Sequence, residues 1–106
     1  MRNGMPKGLS PEARRLWNAT VDTWTLDGPG FTLLEDACKS LDRRRAAEKL
    51  VRKEGMTQVD RFGQIKAHPC MGIIRDEISS FVRLLKQLGL DIVGAAANAR
   101  PPEDEL

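Results

Sequence analysis

The pattern of hydrophobic and polar positions predicts a first helix near the start of the chain. Residues of one face recur there at helical spacing: Ala13, Trp17, Thr20, Val21 and Trp24. Ser10 can cap the free N–H groups at a helix start, and Pro11 and Glu12 suit the first turn. We therefore expect a helix from Pro11 to about Trp24, with both tryptophans packed in the core rather than stacked on nucleobases.

The second segment, residues 31–55, contains no proline and no glycine before Gly55, so it can form one long helix. Its apolar positions change sides along its length. The first half carries a single buried face: Leu34, Ala37, Cys38 and Leu41. The apolar residues of the second half lie roughly a third of a turn or more around the helix. The helix therefore either bends near residues 42–45 or packs against different neighbours along its two halves.

A third helix is predicted to begin at Pro69 and to end at Gly89. Its apolar residues form a seam with alternating spacings of four and three: Ile74, Ile78, Phe81, Leu85 and Leu88. Such a seam favours packing against one long partner, most simply the second helix running antiparallel. The acidic pair Asp76 and Glu77 is expected on the solvated face of this helix.

Residues 56–67, between the second and third helices, differ from the rest because apolar residues there are separated by polar ones. A turn is indicated at residues 61–64, so this segment is predicted to be a short β-hairpin or an extended loop. A two-stranded hairpin alone is only marginally stable. We expect it to lean on a helix or on another subunit.

Together these elements predict an all-α fold of three helices. Helices 2 and 3 form a long antiparallel hairpin, helix 1 packs across it, and the small β-hairpin or loop lies between helices 2 and 3. A chain of 106 residues suits one domain. We assign residues 9–92 to that domain, residues 1–8 to a flexible basic arm, and residues 93–106 to a disordered acidic tail.

Charge is distributed unevenly, although the formal net charge is only +2. Residues 39–54 hold seven lysines and arginines against three acids. The cations of this region form a basic stripe on the second helix: Arg43, Arg44, Arg45, Lys49, Arg52 and Lys53. Such side chains can neutralise nucleic-acid phosphates. The alternative is an ordinary solvated helix face whose cations are partly paired with Asp42, Glu48 and Glu54.

The sequence shows no catalytic residues and indicates no metal and no cofactor. The one histidine, His68, precedes a proline at a helix start, where capping or turn geometry is favoured over acid–base chemistry. Cys38, His68 and Cys70 lack the paired spacing of a zinc site, which needs four ligands when closed. No phosphate-binding glycine loop with its lysine and hydroxyl is present.

The cysteine content and the hydropathy of the chain predict its compartment. Two cysteines do not make a disulfide framework, and they fit a reducing cytoplasm. The start of the chain lacks the apolar run of a signal peptide, and no stretch approaches ~20 apolar residues. A soluble cytoplasmic protein without a membrane partner is expected.

The order of these signals resembles the small subunit of a tailed-phage terminase. The similarity is to the short all-helical type found in cos phages, prophages and phage-derived particles, and it covers about Leu9 to Leu90. It is strongest at four places: Leu16-Trp17, Glu54-Gly55, His68-Pro69 and Leu88-Gly89-Leu90. After Leu90 the chain departs from the family pattern, because related chains often continue with a Pro- and Arg-containing segment. That departure leaves open how the end of the chain would contact a partner.

The resemblance implies a non-catalytic DNA-packaging factor in the cytoplasm of a bacterial host cell. Such subunits form homo-oligomeric rings, bind double-stranded viral DNA, and deliver it to the large terminase subunit, which holds the ATPase and nuclease. The long helix with two apolar faces is compatible with a face hidden against another copy. The candidate DNA-binding residues are Arg14, Arg15, Arg43, Arg44, Arg45, Lys49, Arg52 and Lys53, with the arm 1–8, Arg61 and Lys66 as further candidates.

Two other functions remain as alternatives. A small helical transcriptional regulator would read a specific DNA sequence, but no stretch shows two short helices joined by three or four residues. A structural oligomer would bind only proteins and never touch DNA.

Overall fold

The computed structural model describes residues 4–89, which form three α-helices and one two-stranded antiparallel sheet. The helices are α1 (Pro11–Thr23), α2 (Gly28–Glu54) and α3 (Cys70–Leu88); the strands β1 (Thr57–Val59) and β2 (Ile65–Ala67) lie between α2 and α3. The predicted all-α fold with a small β-hairpin is confirmed. The tail predicted at residues 93–106 and the first three residues of the predicted arm lie outside the described residues, whereas Met5 packs against the core.

Helix α1 begins as its sequence predicts. The Ser10 hydroxyl oxygen accepts a hydrogen bond from the Ala13 N–H at 3.0 Å, and the Ser10 N–H donates to the Asp42 carboxylate of α2 at 2.9 Å. The helix ends at Thr23, and Trp24 has an extended backbone. The prediction that both tryptophans are buried is therefore wrong for Trp24, which is 41% exposed, whereas Trp17 is 1% exposed. The extended backbone carries the Trp24 side chain off the buried face of α1.

Helix α2 begins three residues earlier than the apolar pattern predicts, at Gly28 instead of Phe31. The Asp27 carboxylate caps it by accepting the Gly30 N–H at 2.7 Å, and Pro29 fits the first turn because it has no N–H to leave unpaired. The sequence allows either a bend in α2 or different neighbours for its two halves, and the structure shows different neighbours: the first half packs against α1 and α3, and the second half lies beside the start of α3. The first half forms the main core with α1, made of Leu9, Ala13, Trp17, Leu34, Cys38 and Leu41.

Helix α3 packs antiparallel along α2. Phe81, Leu85 and Leu88 of the predicted seam lie against Ala37 and the first half of α2. Ile78 of the same seam is exposed, so that part of the prediction is wrong. Glu77 takes the position that faces α2, and its carboxylate accepts a hydrogen bond from the buried Ser40 hydroxyl at 2.7 Å. The expectation of a solvated Glu77 is wrong because buried Ser40 gives it a partner there.

The segment between α2 and α3 is a hairpin with a regular register. Thr57 pairs with Ala67, Gln58 with Lys66, and Val59 with Ile65. Asp60 holds the turn, since its carboxylate accepts the N–H groups of Phe62 at 2.8 Å and Gln64 at 2.9 Å. All six strand residues are exposed, so within residues 4–89 the hairpin does not lean on a helix.

Gly55 joins α2 to the hairpin, and its replacement by alanine is expected to lower the free energy of unfolding. Its backbone angles are φ 90° and ψ 159°, a region that side-chain-bearing residues enter at a cost of about 1–3 kcal/mol. Thermal or urea denaturation of Gly55→Ala measures this cost. Gly28→Ala is the matched control, because Gly28 is helical and a Cβ there meets nothing within 4 Å. Equal stability of the two variants would contradict the prediction.

Candidate nucleic-acid interface

The basic stripe begins with arginines that are joined to acids of neighbouring helices. The Nε of Arg43 lies 2.9 Å from Oε2 of Glu77 on α3. Arg45 donates two hydrogen bonds, each 2.9 Å long, to the two carboxylate oxygens of Glu12 on α1, and a third to Glu48. A bidentate pair of this kind is among the stronger hydrogen-bonded ion pairs. Arg43 and Arg45 thus tie α2 to both other helices.

Arg44 lies closer to the core than the other members of the stripe. Its side chain is 17% exposed, its Nε lies 3.7 Å from a carboxylate oxygen of Glu48, and its guanidinium carbon lies 5.9 Å from the centre of the Phe81 ring. An arginine in contact with an aromatic ring gains a cation–π attraction. Arg44 therefore presents little of its charge to a ligand.

The acids that face these arginines have altered proton affinities. The hydrogen bond from Arg45 lowers the pKa of Glu12, and the hydrogen bonds from Arg43 and Ser40 lower the pKa of Glu77. The same bonds raise the pKa of both arginines. Glu77 makes the largest contribution to the shift at Arg43, and Glu12 makes the largest contribution at Arg45. Both acids are held as carboxylates at neutral pH, so they offset much of the charge at this part of the stripe.

The last two turns of α2 differ from the preceding turns. Lys49, Arg52 and Lys53 are exposed, and none forms a salt bridge with another residue in the range 4–89. With 3.6 residues per turn, the three positions fall within a sector of about 100° of the helix surface. We call them the cationic end of α2. Among the predicted site residues on α2, these are the ones whose charge is not offset by a carboxylate within residues 4–89.

The remaining candidate cations lie on α1 and on the β-hairpin. Arg14 and Arg15 are exposed; Arg14 donates to the Leu9 carbonyl oxygen at 2.7 Å, and Arg15 is near enough to Glu12 to favour its charged form. Because Arg45 also binds Glu12, Arg15 lies on the same side of the molecule as the stripe. On the hairpin, Arg61 lies over the Phe62 ring at 5.1 Å. Lys66 lies there 3.4 Å from a carboxylate oxygen of Asp60.

Sequence reasoning missed the two acids that neutralise the first half of the stripe. It assigned Glu12 only to the favourable charge at a helix start, and Glu77 to solvent. Each lies more than thirty residues from its arginine partner along the chain. No signal of local spacing could have found these pairs, because they depend on how the helices cross.

His68 has a structural role at the junction of the hairpin and α3. It is buried, its Nδ1 accepts a hydrogen bond from the Cys70 N–H at 2.9 Å, and its Nε2 lies 2.6 Å from a Glu54 carboxylate oxygen. Because Nδ1 accepts, the hydrogen sits on Nε2, which donates to Glu54. His68 therefore caps α3 and holds its start against the end of α2.

The cysteines and acids of the described chain form no recognisable chemical centre. Cys38 and Cys70 are buried free thiols, and burial raises the pKa of Cys38 to about 12. A thiol held in its protonated form is a poor nucleophile and a poor metal ligand. No group of three or more His, Cys, Asp or Glu side chains in residues 4–89 could hold a metal ion. Residues 4–89 include no helix with an apolar stretch that could span a lipid bilayer.

The fold and the site define a class: a small helical protein with an exposed cationic helix end. The chain belongs to the family of phage terminase small subunits, since the model of that family, described as phage terminase, small subunit, matches residues 12–105. The match continues past Leu90, where the sequence resemblance was expected to end. Among curated proteins and among solved structures the chain has no significant match. Its family assigns it to phage DNA packaging.

Proposed function

We propose that this terminase small subunit is a non-catalytic DNA-binding factor that works as a homo-oligomer, in the form of a ring. It recognises double-stranded phage-type DNA in the cytoplasm of the bacterial host and delivers that DNA to the large subunit, which supplies the ATPase and nuclease. The observation that carries the proposal is the cationic end of α2, where three exposed cations have no carboxylate partner within residues 4–89. The family match gives the packaging role in which this surface would act.

We place the DNA contacts at the cationic end and not at the preceding arginines, because those arginines would have to break ion pairs in order to bind DNA. Arg43 and Arg45 would have to leave Glu77 and Glu12, and a broken bidentate pair leaves a carboxylate facing the DNA phosphates. Lys49, Arg52 and Lys53 bind phosphate without breaking a contact of that kind. Arg15 extends the same surface on α1, and Arg14 is a further candidate on that helix. We assign Arg43, Arg44 and Arg45 to positioning the helices.

A ring explains how so few cations per copy would suffice. Each phosphate contact that releases a counterion lowers the slope of log K against log salt by ~0.9 for duplex DNA. Three contacts from one copy give only weak, non-specific binding. Identical copies in a closed assembly present the same contacts many times to one DNA molecule, and linked weak contacts multiply. The assembly would therefore bind DNA more tightly than a single copy does.

The variant Lys49→Ala, Arg52→Ala, Lys53→Ala tests the surface. We expect affinity for duplex DNA to fall at ~50 mM salt, and the slope of log K against log salt to become shallower by up to about three for each copy in contact with DNA. Fluorescence anisotropy over a salt series measures both, and native mass confirms that the assembly is unchanged. The loss should be similar for different DNA sequences, because phosphate contacts carry no sequence information.

A matched control removes the same charge from another surface. Arg75, Arg83 and Lys86 are exposed on α3, and their replacement by alanine should leave the salt slope unchanged. An unchanged slope in the α2 variant would remove the cationic end from the binding surface. Absence of DNA binding by the unaltered oligomer at ~50 mM salt would favour a structural oligomer that binds only proteins. A footprint on a palindromic operator would instead favour a transcriptional regulator.

A further inference from the structure

Exposed apolar side chains are concentrated at one end of the molecule. Six of the eight large hydrophobic residues exposed within residues 4–89 lie on the second half of α2, on the hairpin or at the start of α3: Leu50, Met56, Val59, Phe62, Ile65 and Ile73. Helix α1 covers only the first half of α2. The end of the molecule that holds the second half of α2 and the hairpin is therefore not covered by a third helix. Clustered exposed hydrophobic residues mark an interaction surface more often than isolated ones do.

The hairpin is amphipathic, with an apolar face that nothing in the described chain covers. Paired residues of antiparallel strands project to the same face, and successive residues alternate. The register places Thr57, Val59, Ile65 and Ala67 on one face, whereas Gln58 and Lys66 lie on the other. At the tip, Phe62 is 74% exposed. We call the exposed apolar face together with Phe62 the knob; the Arg61 guanidinium lies over the Phe62 ring at 5.1 Å.

An apolar groove lies beside the start of α3, between α2 and α3. Its walls are Ala46, Ala47, Leu50, Cys70 and Ile73, and Arg43 lies at its rim. The volume of the groove is about 280 Å³. The Arg43 guanidinium is held by Glu77, so it does not place an unpaired charge in the groove. A second groove is also mostly apolar, with Val51, Met56, Met71 and Ile74 in its lining, but it carries two charged residues, Glu48 and Arg52, where the first groove has only Arg43.

We propose that Phe62 and the apolar face of the hairpin dock into this groove of a second copy of the chain. This inference rests on the proposed homo-oligomer and identifies the surfaces that join its copies. Each copy carries both halves of the contact, and both are open in the single chain. A contact between two different patches is heterologous, so the copies follow one another head to tail and close into a ring when the rotation allows.

A second copy fits better than the chain's own later residues. Leu90, Ile92 and Val93 follow Gly89 by at most four residues, which reach about 14 Å when fully extended. Helix α3 separates Gly89 from the hairpin end by 19 residues, or about 28 Å. Leu90, Ile92 and Val93 therefore cannot cover the hairpin of their own chain. The one large apolar side chain farther along, Leu106, is too small to cover an apolar face of four residues together with Phe62. A two-stranded hairpin is only marginally stable by itself, so it requires a lasting packing contact; a neighbouring copy of the same chain provides one.

Phe62→Ala tests the knob, and native mass spectrometry or light scattering gives the readout. We expect the concentration at which the oligomer dissociates to rise about tenfold or more, as for a central aromatic anchor of an interface. The helical content should stay unchanged, because Phe62 lies outside the core. Ala46→Glu, which places a charge in the groove at an exposed position, should have the same effect. Trp24→Ala removes an exposed aromatic residue from the other end and should leave the mass unchanged.

Cross-linking tests the pairing directly. Two variants are prepared with Cys70→Ala to remove the thiol of the groove: one carries Phe62→Cys and the other, with a mass tag, carries Ile73→Cys. We expect a disulfide between tagged and untagged chains when the two variants are assembled together and oxidised. Little disulfide should form within the Phe62→Cys variant alone. A dominant Phe62→Cys homodimer, or no cross-link between the two variants, would overturn the proposal.

Failure of this inference can be distinguished from failure of the proposed function. If Phe62→Ala remains a full oligomer and only the DNA affinity falls, the knob meets DNA and the docking contact is refuted, whereas the DNA-binding role stands. If Phe62→Ala changes neither quantity, the docking contact alone is refuted. If the unaltered protein stays monomeric at high concentration, both the ring and the contact are refuted.

Discussion

Replacing Trp17 by alanine is expected to lower the free energy of unfolding by ~3–5 kcal/mol, a large part of the stability of a small domain. Trp17 is 1% exposed and belongs to the core that joins α1 to α2. Its ring centroid lies 5.9 Å from that of Phe31, at an interplanar angle of 35°. Removal of the indole leaves a cavity between two helices that the short α1 cannot close. Urea denaturation followed by circular dichroism measures the loss.

Trp24→Ala is the matched control for this prediction. The same chemical group is removed seven residues later, but there it is 41% exposed and follows the end of the helix. We expect a loss below ~1 kcal/mol, as for a surface position. Similar losses in the two variants would show that the buried face of α1 extends to Trp24.

The second large effect is expected at Glu77, whose replacement by alanine should lower the free energy of unfolding by ~1–2 kcal/mol. Its carboxylate accepts the hydroxyl of Ser40, which is fully buried, at 2.7 Å, and it pairs with Arg43 at 2.9 Å. Alanine would leave Ser40 with only the longer bond to the Glu77 carbonyl oxygen, at 3.2 Å. Thermal denaturation at neutral pH measures the effect. Asp76→Ala is the neighbouring control, because Asp76 is exposed and should be neutral within error.

Glu77 also gives the stability a definite pH dependence. Its pKa in the folded protein is lowered below the ordinary value of 4.5 by Arg43 and then by Ser40. A lowered pKa means that the stabilising contribution is complete above about pH 4.5 and is lost as the pH falls through the lowered value. Glu77→Gln keeps the shape of the side chain without its charge. Its unfolding free energy should vary less with pH below 4.5 than that of the unaltered protein; an identical dependence would contradict the assignment.

Local sequence chemistry predicted most of the elements. Ser10 caps α1, the run before Gly55 forms one helix, and the alternating segment after it forms a hairpin. These features depend on residues within a few positions of one another, so spacing alone reveals them. The start of α2 was predicted three residues too late, although it too is set by local residues. The Asp27 cap and Pro29 place the start at Gly28, ahead of the first apolar residue, Phe31.

The candidate site could be predicted only in part. The sequence located the run of cations on α2, because composition is visible without a structure. It could not separate Arg43, Arg44 and Arg45 from Lys49, Arg52 and Lys53. For Arg43 and Arg45 that difference depends on acids of α3 and α1 that lie more than thirty residues away along the chain, and for Arg44 it depends on the contact with Phe81 of α3. The proposed DNA contacts are consequently narrower than the set that the sequence predicted.

The sequence by itself determined the three helices, the Ser10 cap, the glycines that end α2 and α3, the hairpin and the uneven charge, because each follows from neighbouring residues and from hydrophobic periodicity. Only the tertiary structure decided that Trp17 is buried while Trp24 is not, that Glu77 replaces Ile78 against α2, and that half of the stripe is neutralised. The physical reason is that burial and ion pairing depend on distances between elements. Those distances are set by how α1 and α3 pack on α2, and local spacing along the chain does not contain them.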